Sequence, residues 1–170
     1  IGFLRYCRCQ SRFRLAHSGD VKVYENLDVL PRAYLVHEVL SATDGGEALA
    51  RLKAPDFVPG QMAVVEGGPA LSVPEQGRDR VEIVAYGNQE VTVRTESETD
   101  GLLVLSDVHY PGWQAAVDGK VAPIYATNHL FRGVYVAAGE HLVTFRYAPS
   151  WWRPAWGMSV VGLALAGLLL

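Results

Sequence analysis

The sequence predicts a mainly β fold: an antiparallel β-sandwich with a small α/β lead-in and a truncated C-terminal transmembrane helix. Two observations lead to this fold class. Short β-forming runs alternate with turn residues from position 81 to position 147, and residues 155–170 contain no charge. The expected order is the lead-in at 1–66, a linker at 67–80, the β-sandwich at 81–149 and the start of the transmembrane helix at 150–170.

The lead-in contains the pattern most typical of a helix outside a membrane. Residues Gly46–Lys53 read GEALARLK, Asp44 can cap the N-terminus of this helix, and Pro55 closes it. Residues 67–80 combine glycine, proline and charged side chains without a period, which indicates a linker. Strands are expected around the helix at residues 21–24, 33–36 and 62–66.

The sandwich is predicted from a series of short strands with turn residues between them. Residues Val91–Glu96 alternate apolar and polar side chains with period two, as a half-buried strand does. The pair Asp118-Gly119 is the strongest hairpin-turn signal in the chain. Strands repeating every 8 to 12 residues or so, with turns between them, are typical of a sandwich or barrel. The expected strands are 81–86, 91–96, 102–105, 113–117, 121–126, 131–136 and 141–147.

The end of the sequence favours a membrane span. Residues 155–170 are uncharged, and a spanning helix needs about 20 apolar residues. Trp151, Trp152 and Arg153 come just before this run, and such residues anchor a helix at the level of the lipid headgroups. Pro154 fits the first turn of a helix. The alternative is a buried helix of a soluble protein, which would usually keep a polar face.

Composition disfavours several function classes. The 170 residues have a formal net charge of -3, whereas a nucleic-acid binder would show a basic face. The chain begins with Ile1 and stops within an apolar run, so we expect a segment of a longer protein. Cys7 and Cys9 lack further ligands at metal-site spacing, and no catalytic or cofactor motif occurs. We therefore expect no metal, cofactor or catalytic residue here, and no nucleic-acid partner.

A candidate glycan-binding set lies on two loops. The first loop follows an apolar strand, where binding residues are often presented. Its aromatic rings and hydrogen-bonding groups suit sugars, whose C–H faces stack on rings while their hydroxyls need polar partners. A hairpin can bring the second loop close to the first. The set consists of Asp107, His109, Tyr110 and Trp113 in the first loop and Asn128 and Arg132 in the second.

Each of these interpretations has a structural alternative. Tyr110 and Trp113 can instead pack in the core of a small sandwich. Arg132 can bind a phosphate or carboxylate, or it can pair with Asp107 or Asp118. A further basic group near the N-terminus can face anionic lipid or simply lie on a solvated strand face. This group consists of Arg5, Arg8, Arg12 and Arg14.

Several motifs in combination resemble the C-terminal part of the bacterial YfhO-type membrane proteins. In the first half they are Val23-Tyr24-Glu25-Asn26 and Leu30-Pro31-Arg32-Ala33. In the second half they are Tyr110-Pro111-Gly112-Trp113, Asp118-Gly119, Asn128-x-x-Phe131-Arg132-Gly133-Val134, Ala138-Gly139-Glu140-His141 and Phe145-Arg146-Tyr147-x-Pro149. The resemblance extends from about Gly19 to the end of the sequence, and residues 1–16 depart from it.

The resemblance implies a large polytopic protein of the bacterial cell membrane with a C-type glycosyltransferase architecture. Such proteins use a lipid-linked sugar donor to modify cell-surface polymers, such as teichoic acids, on the outer side of the membrane. Their catalytic acids are expected in an early extracytoplasmic loop near the N-terminus, so no catalytic residue is assigned to this chain.

The function expected from the resemblance is that of an extracytoplasmic accessory domain of a membrane glycosyltransferase-like protein. Its partners would be membrane lipid, the rest of its own polytopic chain, and a lipid-linked sugar or a cell-surface glycan polymer. The alternative is a non-enzymatic, membrane-anchored surface module for glycan binding or adhesion. A soluble enzyme is disfavoured by the apolar end of the sequence.

Overall fold

A computed structural model describes residues 12–74 and 79–149 of the chain. The chain divides into two compact units, Ile1–Pro31 and Arg32–Leu170. The described residues form fourteen strands and one helix. The strands of the first unit are β1 (Phe13–Ser18) and β2 (Lys22–Asn26). The second unit contains β3 (Ala33–Val36), β4 (Glu38–Ala42), α1 (Gly45–Leu52), β5 (Met62–Glu66), β6 (Leu71–Ser72), β7 (Arg80–Tyr86), β8 (Glu90–Ser97), β9 (Gly101–Val108), β10 (Trp113–Val117), β11 (Lys120–Ala122), β12 (Tyr125–Thr127), β13 (Phe131–Val136) and β14 (Gly139–Tyr147).

The predicted start of a transmembrane helix at 150–170 lies outside the described residues. The interface residues predicted with it, Trp151, Trp152 and Arg153, lie outside them as well. Within the described ranges, no helix combines the length and apolar character that crossing a membrane requires.

The first unit is an antiparallel hairpin of β1 and β2. Arg14 lies opposite Glu25 in the register, and the two side chains form an exposed ion pair. Arg12 pairs with Asp28 in the same way, with Nε 3.0 Å from a carboxylate oxygen. These two arginines therefore occupy a solvated strand face. Ion pairs this exposed contribute little to stability, because water and salt screen them.

The second unit contains two sheets that pack face to face. One has five antiparallel strands in the order β11-β10-β14-β8-β7. The other has seven strands in the order β3-β9-β13-β12-β5-β4-β6, in which β4 and β5 are parallel. A mainly β architecture with several antiparallel sheets, as predicted, is confirmed.

The core between the two sheets follows the period-two pattern of their strands. On β8 the apolar side chains at 91 and 93 point inward while Arg94 and Glu96 are exposed, as the alternation predicted. The opposing sheet contributes alternate residues of its own central strands. The core side chains are Val91, Val93, Val143 and Phe145 from the five-stranded sheet and Leu35, Leu103, Leu105, Val134 and Val136 from the seven-stranded sheet.

The seven-stranded sheet is buried on both faces over β3 and β9. Tyr34, Val36, Leu102 and Val104 point away from the first core and pack with apolar residues of β4 and β5. The helix α1 packs on the opposite face of β4 and β5, where Ala48 contacts Ala42 and Val64. Burial on both faces is the physical reason that β3 and β9 are continuous apolar runs.

The predicted helix is observed with nearly the predicted bounds. α1 begins after Asp44, whose carboxylate accepts a hydrogen bond from the Glu47 N–H at 2.9 Å. Glu47 in turn accepts hydrogen bonds from the backbone and hydroxyl groups of Thr43 and from Arg51. These contacts lower the pKa of Glu47 to about 2, with the Thr43 backbone bond the largest cause. The N-terminus is therefore stabilised by reciprocal capping.

The predicted lead-in and sandwich are hydrogen-bonded to one another. β3 pairs with β9, and β5 pairs with β12, so residues on both sides of the predicted linker at 67–80 belong to one sheet. The linker range contains β6, which pairs with β4. The unit boundary of the structure instead falls between Pro31 and Arg32. Pairings over such sequence distances leave no local pattern, which is why the sequence suggested a division elsewhere.

The loops at one end of the sandwich converge around the point where β14 ends. The Tyr147 N–H donates to the Gln89 carbonyl at 2.8 Å, and the Ala148 N–H donates to the Gly112 carbonyl at 2.8 Å. The His109 N–H donates to the Leu130 carbonyl at 2.7 Å. We call this the exit end; it comprises residues 87–89, 109–112, 128–130 and 148–149. The far end comprises the opposite loops at 98–100, 118–119 and 137–138.

Candidate functional site

Asp107 organises a cluster at the exit end. It lies near the end of β9, and its side chain is 9% exposed. Arg32, which immediately precedes β3, donates from Nε and Nη2 to the same carboxylate oxygen at 3.1 and 2.8 Å. The Tyr86 hydroxyl at the end of β7 donates to the carboxylate at 3.1 Å. The pairing of β3 with β9 brings Arg32 to this position, since Ala33 lies opposite Leu105.

Arg32 also interacts with the ring of Tyr86. Its guanidinium carbon lies 4.5 Å from the ring centroid, within the range of a cation–π contact. The hydrogen bond to Asp107 is the main cause that raises the pKa of Arg32. Arg32, Tyr86 and Asp107 therefore form one connected polar group, which is drawn from β7, β9 and the residue that precedes β3.

Arg132 on β13 is the second cation of the cluster, and it is only 5% exposed. Its Nε donates to the Val108 carbonyl at 3.1 Å, and its Nη2 lies 3.9 Å from an Asp107 oxygen. The guanidinium carbon stacks 3.6 Å from the centroid of the Trp113 ring. Burial lowers the pKa of Arg132, while the charge of Asp107 opposes that shift. Among the described residues its Nη1 is buried without a hydrogen-bond partner.

A cleft of about 320 Å³ opens beside these side chains. One carboxylate and two guanidinium groups meet here, so positive charge exceeds negative charge by one. Asp107 is the acidic residue in the cleft wall, and it is already bonded by Arg32 and Tyr86. The cleft is lined by Tyr86, Gly87, Asn88, Val91, Asp107, Val108, Trp113 and Arg132. The arrangement offers hydrogen bonds and positive potential to a ligand, rather than a pair of acids for proton transfer.

The Trp113 ring does not offer both faces to a ligand. Arg132 covers one face, and the ring of Tyr147 packs nearby with a centroid distance of 5.5 Å and a tilt of 53°. Trp113 therefore contributes mainly to packing, which was the structural alternative for this residue, and it meets the cleft beside Arg132.

The structure brings together three of the six predicted site residues: Asp107, Trp113 and Arg132. His109 and the exposed Tyr110 lie on the loop that follows β9, next to the cleft rather than in its wall. Asn128 has another position. Its side-chain oxygen accepts from the Val64 N–H at 2.9 Å, and its own N–H donates to the Val64 carbonyl at 2.7 Å.

Asn128 thereby fixes the turn between β12 and β13 to β5. It has a φ of 49°, a left-handed conformation that asparagine tolerates better than most residues. Asp118, the alternative partner for Arg132, lies at the far end. There its Oδ2 is 2.7 Å from Nδ1 of His141. Of the two acidic partners considered for Arg132, the structure therefore brings only Asp107 near it.

Sequence reasoning missed Arg32 and Tyr86 as site residues. Tyr86 ends a predicted strand and precedes the Gly87-Asn88 turn, a position where side chains reach a sandwich end. Arg32 precedes a buried strand. Both were therefore visible as strand-end polar residues, but Arg32 and Asp107 are 75 positions apart and only the β3–β9 pairing connects them.

A second cavity, of about 480 Å³, lies beside His37 at the corner between β3 and β4. His37 Nδ1 is 2.8 Å from the Asp100 carbonyl, which can only accept, so Nδ1 holds a proton. Its Nε2 is 2.7 Å from an Asp79 carboxylate oxygen. His37 thus links the corner between β3 and β4 to the loop at Asp100 and to Asp79, which precedes β7. Within 12–74 and 79–149, no group of three or more His, Cys, Asp or Glu residues could hold a metal ion.

A family model described as bacterial membrane protein YfhO matches residues 74–159, just over half of the chain. The match includes β7 to β14 and four charged or aromatic cleft residues, Tyr86, Asp107, Trp113 and Arg132. No curated protein and no solved structure matches the chain. The resemblance seen in the sequence motifs is thereby confirmed, and the chain belongs to the YfhO family of bacterial membrane proteins.

Proposed function

We propose that this chain is an extracytoplasmic accessory domain of a bacterial membrane glycosyltransferase-like protein, and that its cleft binds one sugar unit of a glycan. Membership of a bacterial membrane protein family supports the membrane setting. The observation on which the binding role rests is the buried Nη1 of Arg132, which lines the cleft without a partner in the described chain.

A buried, unpaired N–H of a charged group is costly, by about 1–3 kcal/mol or more. An oxygen atom of a ligand in the cleft would accept from Nη1 and remove that cost. Asp107 complements the Nη1 donor of Arg132 as an acceptor. A carboxylate can accept about four hydrogen bonds, and the bonds from Arg32 and Tyr86 leave the Asp107 carboxylate able to accept another. A guanidinium donor beside a carboxylate acceptor suits a hydroxyl group, which can accept from one and donate to the other.

The size of the cleft limits the ligand. A volume of about 320 Å³ is near the lower end of ligand sites, which run from roughly 300 to 1,000 Å³. One sugar ring fits such a space, whereas an oligosaccharide would extend beyond it. The bound unit would belong to a lipid-linked sugar or to a cell-surface polymer, and catalysis would take place elsewhere in the polytopic protein.

The test replaces Arg132 in the intact membrane protein. Arg132→Lys keeps the positive charge and removes the planar donors that reach both Val108 and the cleft. A hydrogen bond to a charged group contributes about 1.5–3 kcal/mol, so sugar transfer should fall about ten- to a hundredfold. The measurement is transfer of labelled sugar from a polyprenyl-phosphate donor to surface polymer in membranes containing the protein.

Arg94→Lys is the matched control, since Arg94 lies on the outer face of β8 in an exposed pair with Glu140. It should transfer at the wild-type rate and melt close to the wild-type temperature, whereas Arg132→Lys loses the bond to the Val108 carbonyl and should melt lower but stay folded at the assay temperature. Wild-type transfer by a folded Arg132→Lys protein would remove the binding role. Glycan binding by an intact wild-type protein that transfers no sugar would favour the non-enzymatic surface module.

A further inference from the structure

β14 leads the chain out of the sandwich at the exit end. Trp113 lies opposite Tyr147 in the register, and the next two residues, 148 and 149, lie beside Gly112. The uncharged run of the sequence begins six residues after Pro149. Six residues span at most about 20 Å when fully extended. If that run enters a bilayer, the exit end must lie within about this distance of the lipid.

Three large apolar side chains are exposed together at or next to the exit end. Val108, Tyr110 and Leu130 are each more than half exposed. They belong to two adjacent segments, since Phe131 lies opposite Val108 and the His109 N–H bonds to the Leu130 carbonyl. A tyrosine beside aliphatic side chains is typical of surfaces at the membrane interface, where the ring is apolar and the hydroxyl stays hydrated.

The far end has the opposite character. Its loops contain Glu98, Asp100 and Asp118, and Glu140 begins the adjacent strand. Acidic side chains of this kind are repelled by an anionic lipid surface. The two ends thus differ in their loops: those at 98–100 and 118–119 contain acidic side chains, whereas Tyr110 and Leu130 are exposed in the exit-end loops and Glu66 is paired there with His129.

We propose that the exit end rests on the membrane surface, with Val108, Tyr110 and Leu130 in the lipid headgroup layer. The partner is lipid rather than another protein segment, because an uncharged run that starts six residues after Pro149 would hold this end near the lipid if it enters the bilayer. The cleft then opens toward the headgroups. This inference does not depend on what the cleft binds.

The experiment measures depth in the bilayer with the intact protein in liposomes. In a background with Cys7 and Cys9 replaced by serine, a single cysteine is introduced as Tyr110→Cys and labelled with an environment-sensitive fluorophore. Val121→Cys is the control, because Val121 is 93% exposed and lies on β11 next to the far-end turn. Leu130→Cys is a second probe that leaves Tyr110 in place.

Spin-labelled lipids should quench the fluorophore at 110 and at 130 and leave position 121 unquenched, whereas aqueous iodide should do the reverse. Quenching of all three positions by iodide, with none by lipid, would overturn the proposal. Protection of positions 110 and 130 from both quenchers would also overturn it, because another protein segment would then cover this end. Circular dichroism of each labelled protein verifies the fold.

Discussion

Asp107 is the residue on which the geometry of the cleft depends most. Its carboxylate receives hydrogen bonds from Arg32 and Tyr86 and lies 3.9 Å from the buried Arg132. A carboxylate that holds two arginines from different strands stabilises the exit end and also sets the direction of the donors that face the cleft.

Replacing Asp107 with asparagine should therefore destabilise the chain. The amide keeps the size of the side chain and removes the charge that compensates Arg132, at an expected cost of about 1–3 kcal/mol. The measurement is a denaturant unfolding curve. Glu140→Gln is the control, because its exposed pair with Arg94 should contribute less than about 1 kcal/mol. Equal stability of the two variants would contradict the role assigned to Asp107.

The His141–Asp118 pair predicts how stability depends on pH. The hydrogen bond to Asp118 raises the pKa of His141. The pKa of Asp118 is lowered mainly by the hydrogen bond from the Leu142 backbone N–H, and next by the hydrogen bond from the His141 side chain. The contribution of His141 to the free energy of unfolding is complete below its unfolded pKa of about 6.5. It is lost as pH rises through the pKa of His141 in the folded protein. The contribution of Asp118 to the free energy of unfolding is complete above its unfolded pKa. It is lost as pH falls through the pKa of Asp118 in the folded protein.

Melting temperatures of the wild type and His141→Gln, measured from pH 5 to 9 or so, test this prediction. The wild type should be the more stable protein at the acidic end of that range. Its advantage should shrink as pH rises beyond the folded pKa of His141. A difference that stays constant across the range would show that the histidine charge makes no contribution.

At the scale of elements, the loop between β9 and β10 must approach the end of β14 closely. Gly112 has a φ of 100°, and an added Cβ there would lie 2.9 Å from a ring carbon of Tyr147 and 3.1 Å from Pro149. Gly119, in the predicted hairpin turn, has a φ of 78° with nothing within 4 Å of an added Cβ. A side chain at Gly119 would thus strain only the backbone, whereas a side chain at Gly112 would also collide with its neighbours.

Alanine at these two positions should give different losses of stability. Gly119→Ala should cost about 1–2 kcal/mol, the usual penalty for a left-handed conformation. Gly112→Ala should cost more, since the ring of Tyr147 and Pro149 must also move. Unfolding curves of the two variants compare the costs. A smaller loss for Gly112→Ala would contradict the close approach seen at the exit end.

Local elements were predictable because their signals are local. The α1 bounds, the cap at Asp44 and the Asp118-Gly119 turn all follow from patterns within a few residues. The pairing of β3 with β9 did not follow, because it joins segments that lie far apart in the sequence. One sign of it was present: residues 33–36 are apolar without alternation, as in a strand covered on both faces.

The candidate site was likewise predictable only where its residues carry a local signal. Asp107 and Arg132 were found because both are charged residues near strand ends, and the pairing of β13 with β9 brings them to the same end of the sandwich. Tyr86 and Arg32 were missed because their positions depend on β7 and β3 joining different sheets. Asn128 looked like a ligand-binding residue, whereas its amide is bonded to the backbone of β5.

At the scale of the whole molecule, the described sandwich is a YfhO-family domain whose sequence continues into an uncharged run. The proposals for the cleft and for the exit end concern the same face of the domain. They are separable by experiment, since Arg132→Lys should alter sugar transfer without changing lipid quenching of a fluorophore at position 110. Loss of sugar transfer in Arg132→Lys, together with no lipid quenching at position 110 of the wild-type background, would support the cleft proposal alone.

The position of β14 within its sheet has a mechanical consequence. β14 is a central strand, with eight residue pairs to β8 on one side and five to β10 on the other. A tension applied to the chain beyond Pro149 would act along this strand and load the hydrogen bonds on both of its sides together. An edge strand such as β11 would instead peel away one bond at a time. A pull on the chain beyond Pro149 would therefore load a central strand of this sheet rather than an edge strand.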